Sequence, residues 1–416
     1  MPDSRLPRDG APDSSFALWR EGYNFIPRRC RRHGTDAFRT RLMLKEASCV
    51  QGADWAEMFY DGDRFTRRGG LPLSALTLLQ DVGSVMTLDG AAHRHRKGLF
   101  LDILGPEAAY RLAQVARAEW ERRLPDWESL RAVTLFDEMR ELLFHAVCDW
   151  AGVPLGPEAP QRLYEVAEMV EASARVGPNN WRTHLLRART EHWARQIIRE
   201  ARAGHSMPKG TALESIAQHR DEKGRRLPAR IAAVELINVI RPTVAVARYI
   251  VFSALALHRR PEMVERLRTG DEAFAEAFAQ EVRRLTPFIP MIGGRALRDF
   301  EWKDFHFSKG DWVLIDLFGT DRDPRLWDDP DGFRPERFLD RIPGPYDLIP
   351  QGAGDHATTH RCPGEWIAQE LTKMGAQMLA SLDYQVPSQD LSVDLSRIPA
   401  IPRSGFLIGQ VRQATA

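Results

Sequence analysis

Along most of the chain apolar residues recur three and four positions apart, the period of an amphipathic helix. From about Pro106 to Gly270 this pattern dominates, as in WRTHLLRARTEHWARQIIREARAG. Two stretches predict core helices. PARIAAVELINVIRPTVAVARYIVFSALALHRR opens at Pro228, a residue suited to a first helical turn, and ends on basic residues before Pro261. As a single helix it runs roughly 50 Å, long enough to cross the molecule. The second, from about Gly364 to Leu382, spaces Ile367, Leu371, Met374 and Met378 to form one apolar stripe. Nearer the start the pattern changes: RTRLML alternates like a strand and DWAEMFY reads as a helix, so the segment to about Pro72 is a small mixed α/β element. After Gly310, DWVLIDLFG predicts a strand, and DRDPRLWDDPDGFRPERF, dense in Asp-Pro and Gly, predicts an irregular meander. The fold class is mainly α with a small β region.

Residues 1–16 are polar and broken by Pro and Gly, and are expected to be a disordered tail. No repeat or Gly/Ser-rich linker divides the remainder, so residues 17–416 are expected to form a single domain. Lys plus Arg number 58 and Asp plus Glu 57, a net of +1, which excludes a polyelectrolyte-binding role for the chain as a whole: no nucleic acid, and no charge excess for an anionic membrane. The longest apolar stretch, near Val244 to Leu257, holds Arg248 and falls short of the roughly 20 residues of a membrane span. The N-terminus has no secretory h-region. Cys30, Cys49, Cys148 and Cys362 form no CxxC pair, which points to reducing cytoplasm.

The chemistry gathers in IPQGAGDHATTHRCPGEWIAQEL, where a Gly-rich loop delivers Cys362 to the start of the second core helix. Backbone N–H groups and the positive helix end there favour thiolate over thiol. Gly352, Gly354 and Gly364 allow a flat cofactor to approach closely, and a lone thiolate points to haem rather than zinc or an iron–sulfur cluster. A buried structural cysteine in a turn is the plainer reading, and is the one taken for Cys30, Cys49 and Cys148.

Two further motifs shift that balance. Glu281-Val-Arg-Arg284 places a carboxylate and a guanidinium on adjacent helical turns, and Pro335-Glu-Arg337-Phe338 offers a second Arg from the meander. Any one of these is weak, since an i,i+3 Glu–Arg pair is usually a solvated face. In the order ExxR, PERF, Gly-rich Cys-x-Gly loop, the set resembles the haem-thiolate cytochromes P450. The resemblance implies haem b with Cys362 as proximal ligand, and Glu281, Arg284 and Arg337 as a buried cluster bracing the haem loop. It also implies that His93 and Lys97, in LDGAAHRHRKGLF, bond the haem propionates, with Arg67 and His360 as weaker candidates.

The middle of the long helix departs from the general family. An oxygen-activating member has an acid followed by an alcohol there, whereas this chain reads Asn238-Val-Ile-Arg241-Pro242-Thr243. Pro242 opens the helix ladder, and Arg241 cannot lose its charge inside an apolar run. No acid follows Glu235 within reach on the helix, so the partner is either a distant structural carboxylate or an incoming ligand. With QEVRRLTPFIP and the long QGAGDHATTHRCPGEW loop, this pair resembles the fatty-acid peroxygenase branch of the P450s, over about Trp19 to Phe406. That resemblance implies a fatty-acid substrate with its carboxylate on Arg241 acting as acid and base, Pro242 shaping the peroxide site, and hydrogen peroxide as oxidant with no redox partner protein required. Attack then falls at the α or β carbon, with decarboxylation to a terminal alkene as a further outcome.

Leu79, Phe288, Ile289 and Met291 are candidates for the alkyl channel, although such apolar residues are more often core. Met86 stands where members of the branch place Gln or His, in a segment one residue longer than theirs; as a substrate-side residue it donates no hydrogen bond. Two other readings stay open. A ferredoxin-dependent monooxygenase would keep Thr243 as its alcohol, and a haem-binding sensor or carrier would give spectral shifts without product.

Overall fold

The computed structural model describes residues 6–79, 81–174, 178–204 and 209–414. The helices are α1 (Ser15–Glu21), α2 (Phe25–His33), α3 (Ala53–Tyr60), α4 (Leu73–Leu79), α5 (Gly90–Leu104), α6 (Pro106–Ser129), α7 (Leu135–Ala151), α8 (Ala159–Glu171) and α9 (Pro178–Arg202). They continue with α10 (Ala212–Gln218), α11 (Ala229–Ala245), α12 (Ala247–Arg259), α13 (Glu262–Arg268), α14 (Glu272–Leu285), α15 (Leu317–Thr320), α16 (Arg337–Asp340) and α17 (Glu365–Ala380). The strands are β1 (Ala37–Leu42), β2 (Lys45–Gln51), β3 (Phe65–Thr66), β4 (Ala132–Thr134), β5 (Met291–Ala296), β6 (Phe300–Trp302), β7 (Phe305–Phe307), β8 (Trp312–Asp316), β9 (Leu382–Gln385) and β10 (Leu407–Gln413).

The mixed α/β element is a five-stranded sheet in the order β1-β2-β8-β5-β3, with β2 and β8 parallel and the other pairs antiparallel. Its middle strand β8 is buried throughout, because it has a hydrophobic cluster on each face. Val313 and Ile315 pack with Trp55 and Phe59, while Trp312 and Leu314 pack with Phe25 and Phe38. A three-stranded sheet β4-β10-β9 and the β6–β7 pair complete the β structure. The large core lies among α5 to α14 and α17, and the α17 stripe of Ile367, Leu371, Met374 and Met378 is buried in it.

Three expectations change. The long apolar helix divides into α11 and α12 at Val246, whose N–H bonds the Thr243 carbonyl at 3.1 Å in a tightened turn. Pro242 has already removed one N–H from this ladder, and the Thr243 hydroxyl donates to the Val239 carbonyl at 2.8 Å. By length and apolar content residues 229–259 match a membrane span, yet 89% of the apolar window is buried inside the protein. Residues 6–16, expected to belong to a disordered tail, are held to the fold. Residues 1–5 lie outside the described residues, but Leu6 is buried, Arg8 bridges Arg39, and Asp9 pairs with Arg29 at 2.7 Å. That buried ion pair ties the segment down before α1 begins.

Candidate active site

The Cys362 loop is shaped by glycine where a side chain has no room. Gly352 has φ +96°, and a Cβ there would sit 2.9 Å from the Tyr60 hydroxyl and 3.2 Å from the Arg361 Cα. The Cys362 N–H donates to the Gln351 carbonyl at 2.9 Å, and the Gln351 amide reaches the Cys362 sulfur at 3.8 Å. Burial raises the Cys362 pKa, and Glu365 adds to the rise, outweighing the Gly364 N–H, Lys97 and Gln351. The Gly364 N–H at the helix end pulls toward the thiolate, as the sequence predicts, but burial outweighs it; a cation at the sulfur would hold the thiolate. Cys30, Cys49 and Cys148 are free and buried, whereas Cys362 is only partly covered.

Bases collect beside this cysteine. Arg67 is buried over the rings of Phe59 and Tyr60, at 4.1 and 4.9 Å, and its Nε and Nη1 have no hydrogen-bond partner among the described residues. The His93 and His360 rings lie 3.9 Å apart, and the His360 Nδ1 is buried and unpartnered. The Lys97 ammonium donates to the carbonyls of Thr359 and, at 2.6 Å, Arg361. Burial first, then repulsion from the other cations, lowers His93 to about 4 and His360 well below the usual range. Burial also brings Arg67 to about 10 and Lys97 to about 8. None of the four makes an ion pair among the described residues. Buried bases without a counter-charge, next to a lone cysteine, fit the two propionates and the iron of haem b. Lys97 gives two of its three N–H donors to loop carbonyls, which leaves the third for a propionate.

Arg241 lies on the buried face of α11. One of its nitrogens donates to the Leu78 carbonyl at 3.2 Å, and no carboxylate pairs with it among the described residues. Burial lowers its pKa to about 9, and the nearby Arg187 adds to the effect. Arg187 donates to the same carbonyl at 3.2 Å but is itself neutralised by Glu191 at 2.8 Å. Glu235, six residues before Arg241 on the helix, is held by Arg96 and the Val85 N–H, each at 2.8 Å, and by Asn238 at 3.2 Å. None of these contacts is to Arg241, which lies on a different face of the helix. Met86 follows Val85 in a single 3₁₀ turn and packs partly buried against the large core.

The brace predicted from ExxR and PERF is assembled. Arg284 forks onto both oxygens of Glu281 at 2.8 Å, and Arg337 reaches the same carboxylate at 3.3 Å. The remaining Arg284 donors bond the carbonyls of Asp321, Pro330 and Gly332, which fixes the meander to α14.

Known proteins share this arrangement of elements. The family model described as Cytochrome P450 matches residues 273–401. Cytochrome P450SP alpha (CYP152B1) in complex with (R)-ibuprofen superposes with a TM-score of 0.93 at 43% identity, covering 97% of this chain and 100% of that one. The chain belongs to the cytochrome P450 family. Its likeness extends to cytochrome P450EX alpha (CYP152N1) with myristic acid, TM-score 0.94 and 36% identity over 98% of this chain and 99% of that. A variant of cytochrome P450 OleT in complex with arachidonic acid gives 0.95 and 34%, over 99% of each chain. Among curated relatives, Cytochrome P450 76C1 of Arabidopsis thaliana is 37% identical over 128 residues, 29% of this chain. That match spans about a quarter of the relative's own length, 24%. These kinships place this P450 among fatty-acid peroxygenase structures, and its cofactor is haem b on a cysteine thiolate.

Of the expected channel residues, Leu79 ends α4 beside the carbonyl that Arg241 holds, and Phe288 stands edge-on to Tyr249 at 5.5 Å. Ile289 is exposed, and Met291 packs against the N-terminal cluster. The sequence reading missed Glu365. This carboxylate, three residues after Cys362, is bound by Arg283 at 2.5 Å, Arg361 at 2.6 Å and His356 at 3.1 Å, and these partners hold its pKa far below the usual range. It also missed that Arg248, the charge interrupting the apolar run, pairs with Glu171 on α8. The signal available was only that a charge in an apolar run needs a counter-charge somewhere in the fold.

Proposed function

We propose that this P450 uses hydrogen peroxide to hydroxylate fatty acids at the α or β carbon, in part decarboxylating them to terminal alkenes, without a redox partner protein. The observation that carries this reading is the buried Arg241 guanidinium, with one carbonyl as its acceptor and no carboxylate among the described residues. A bidentate fork inside an apolar site is built to take a carboxylate from outside. Myristic acid, arachidonic acid and ibuprofen, the molecules held in the similar structures, are all carboxylic acids.

Bound haem b supplies O–O cleavage and C–H oxygenation, with Cys362 as the thiolate that pushes electron density toward the iron. Arg67, His93, His360 and Lys97 hold its propionates, and Glu281, Arg284 and Arg337 keep the loop in place. Arg241 fixes the substrate carboxylate, and Pro242 shapes the space for peroxide. The carboxylate takes a proton from peroxide and returns it, so that fatty acid and hydrogen peroxide give hydroxy acid and water. Neighbouring side chains are not free to move that proton, since Thr243 donates to Val239 and Asn238 to Glu235. That occupancy weighs against the ferredoxin-dependent alternative, which needs Thr243 as a proton donor. Anchoring the acid group restricts attack to Cα and Cβ while the tail runs along Leu79, Met86 and Phe288. Four unpaired cysteines suit a reducing compartment, and a cytoplasmic location is part of the proposal.

The test is mass spectrometry of products after mixing the haem-loaded protein with a long-chain fatty acid and hydrogen peroxide, omitting any reductase. Hydroxy acids at C2 or C3, or a one-carbon-shorter alkene, are expected. Product formed only when ferredoxin, its reductase and NADPH are added would overturn the reading.

A further inference from the structure

The whole-chain charge of +1 hides a local imbalance. Residues 15–46 carry eight Lys or Arg against three Asp or Glu, an excess of five positive charges in an otherwise balanced chain. The three carboxylates are already engaged: Glu21 by Arg29, Asp36 by Arg325, and Glu46 by both Arg8 and Arg41. Arg20, Arg28, Arg31 and Lys45 are exposed and make no ion pair among the described residues, and Arg32 lies 3.6 Å from an Asp9 that Arg29 already holds.

Within this basic segment sits an exposed apolar patch. Phe16 and Trp19 stand one turn apart on α1, 68% and 62% exposed, with their rings 5.7 Å apart. Met43 and Leu44, at the tip of the β1–β2 hairpin, are 49% and 82% exposed. The two elements are joined. The Met43 N–H donates to the Ser15 hydroxyl at 2.6 Å and the Leu44 N–H to the Asp13 carboxylate at 2.7 Å, so the hairpin tip is pinned to the start of α1.

The tip is also strained. Met43 and Leu44 have φ of +52° and +62°. Two-residue hairpins with this backbone ordinarily use Asn-Gly or Asp-Gly, because side chains disfavour it. Placing two large apolar side chains there, and leaving them in water, costs stability with no gain inside the fold.

We propose that this patch is a peripheral docking surface for an anionic lipid bilayer. Phe16, Trp19, Met43 and Leu44 enter the interfacial layer, and Arg20 and Lys45, the exposed cations next in sequence to Trp19 and Leu44, lie over the acidic headgroups. An aromatic pair with aliphatic residues at its edge and a basic rim is the composition that interfacial binding selects. Each basic residue near such a surface strengthens binding about fivefold at moderate salt. The surface acts without a membrane-spanning segment, and the proposal does not depend on the identity of the substrate.

The experiment is co-sedimentation of the full haem-loaded chain with phosphatidylcholine vesicles, with and without phosphatidylglycerol, at low and high salt. Binding to the phosphatidylglycerol vesicles is expected, falling at high salt and weakening at least about tenfold in the variant Phe16→Ser/Trp19→Ser/Leu44→Ser. A second variant, Arg20→Glu/Lys45→Glu, keeps the apolar residues and tests the rim; it is expected to lose most of the dependence on phosphatidylglycerol. Far-ultraviolet circular dichroism and the haem absorbance of both variants should match the parent, which separates lost docking from lost folding. Equal sedimentation of parent and both variants overturns the proposal. So does the absence of vesicle binding with a concentration-dependent dimer that the triple variant abolishes, which would assign the patch to a second copy of the chain.

Discussion

Arg241 pairs activity against stability. A guanidinium buried without a counter-charge raises the free energy of the fold, and the depressed pKa of about 9 is that cost expressed as proton affinity. Replacing it with an apolar residue of similar length removes the cost along with the anchor. Arg241→Met is therefore expected to raise the melting temperature by at least about 1 °C in the absence of fatty acid. The same variant is expected to lose about a hundredfold or more in kcat/KM, because a buried charge-assisted contact to substrate is worth about 3 kcal/mol or more. Calorimetry and steady-state kinetics on one preparation check both. A variant that is less stable than the parent would make Arg241 a structural residue. Cys362 and Arg241 were visible in the sequence because each is anomalous in its own window: a cysteine between a glycine loop and a helix, and an Arg-Pro in an apolar run. The Lys97 bonds to Thr359 and Arg361 were not visible, since they join positions more than 260 residues apart.

At the scale of elements, the brace between α14 and the meander follows from one helical turn. Glu281 and Arg284 are three apart and both wholly enclosed, so each neutralises the other where water cannot. Glu281→Gln leaves Arg284 and Arg337 without their shared carboxylate. It is expected to cost about 3–5 kcal/mol in denaturant unfolding and to lower haem retention on gel filtration. The contact of β5 with the chain after β3 is tighter still. A Cβ at Gly293 would lie 1.9 Å from the Gly70 carbonyl oxygen, backbone against side chain with nothing flexible to yield. Gly293→Ala is expected to destabilise by at least about 1–3 kcal/mol, read as a lowered urea midpoint. ExxR announced its own pairing through helical spacing. Glu365 did not, because Arg283 and His356 come to it from α14 and from the far side of the Cys362 loop. The division of the long helix at Val246 was half legible: Pro242 announced an opened ladder, but hydrophobic period is the same on either side and does not mark the break.

Over the whole molecule, buried acids set the response to pH. Burial lifts Asp316 to about 7 and Asp321 to about 8, against the smaller opposing pull of backbone N–H groups at Gly319 and Ile349. Both native pKa values exceed the unfolded value of about 4, so between these limits the folded state holds protons that the unfolded state has released. Their contribution to stability is complete below about pH 4 and is lost as pH rises through about 7 to 8. The melting temperature is expected to fall between pH 6 and pH 9. Asp321→Asn, which keeps the acceptor for the Ile349 N–H, is expected to fall by about 2 °C less over that range. Parallel curves for the two proteins would remove Asp321 from the account. The histidines act at the other end: with His93 and His219 each lowered to about 4, stability present above about pH 6.5 is lost as pH falls from there through about 4.

The sequence by itself determined the helical class, the strand at β8, the meander, the α17 stripe, the cysteine of the haem loop and the cation in the long helix. Each rests on period or on a residue out of place among its immediate neighbours, and local physics is enough to read those. Only the tertiary structure decided that Arg241 has no carboxylate among the described residues, that Arg283, Arg361 and His356 converge on Glu365, that Arg248 is answered by Glu171, and that the start of α1 is pinned to the hairpin tip of Met43 and Leu44. Whether a charge is paired, or an apolar side chain covered, depends on what the rest of the chain brings to it, and folding settles that by distance in space rather than along the sequence.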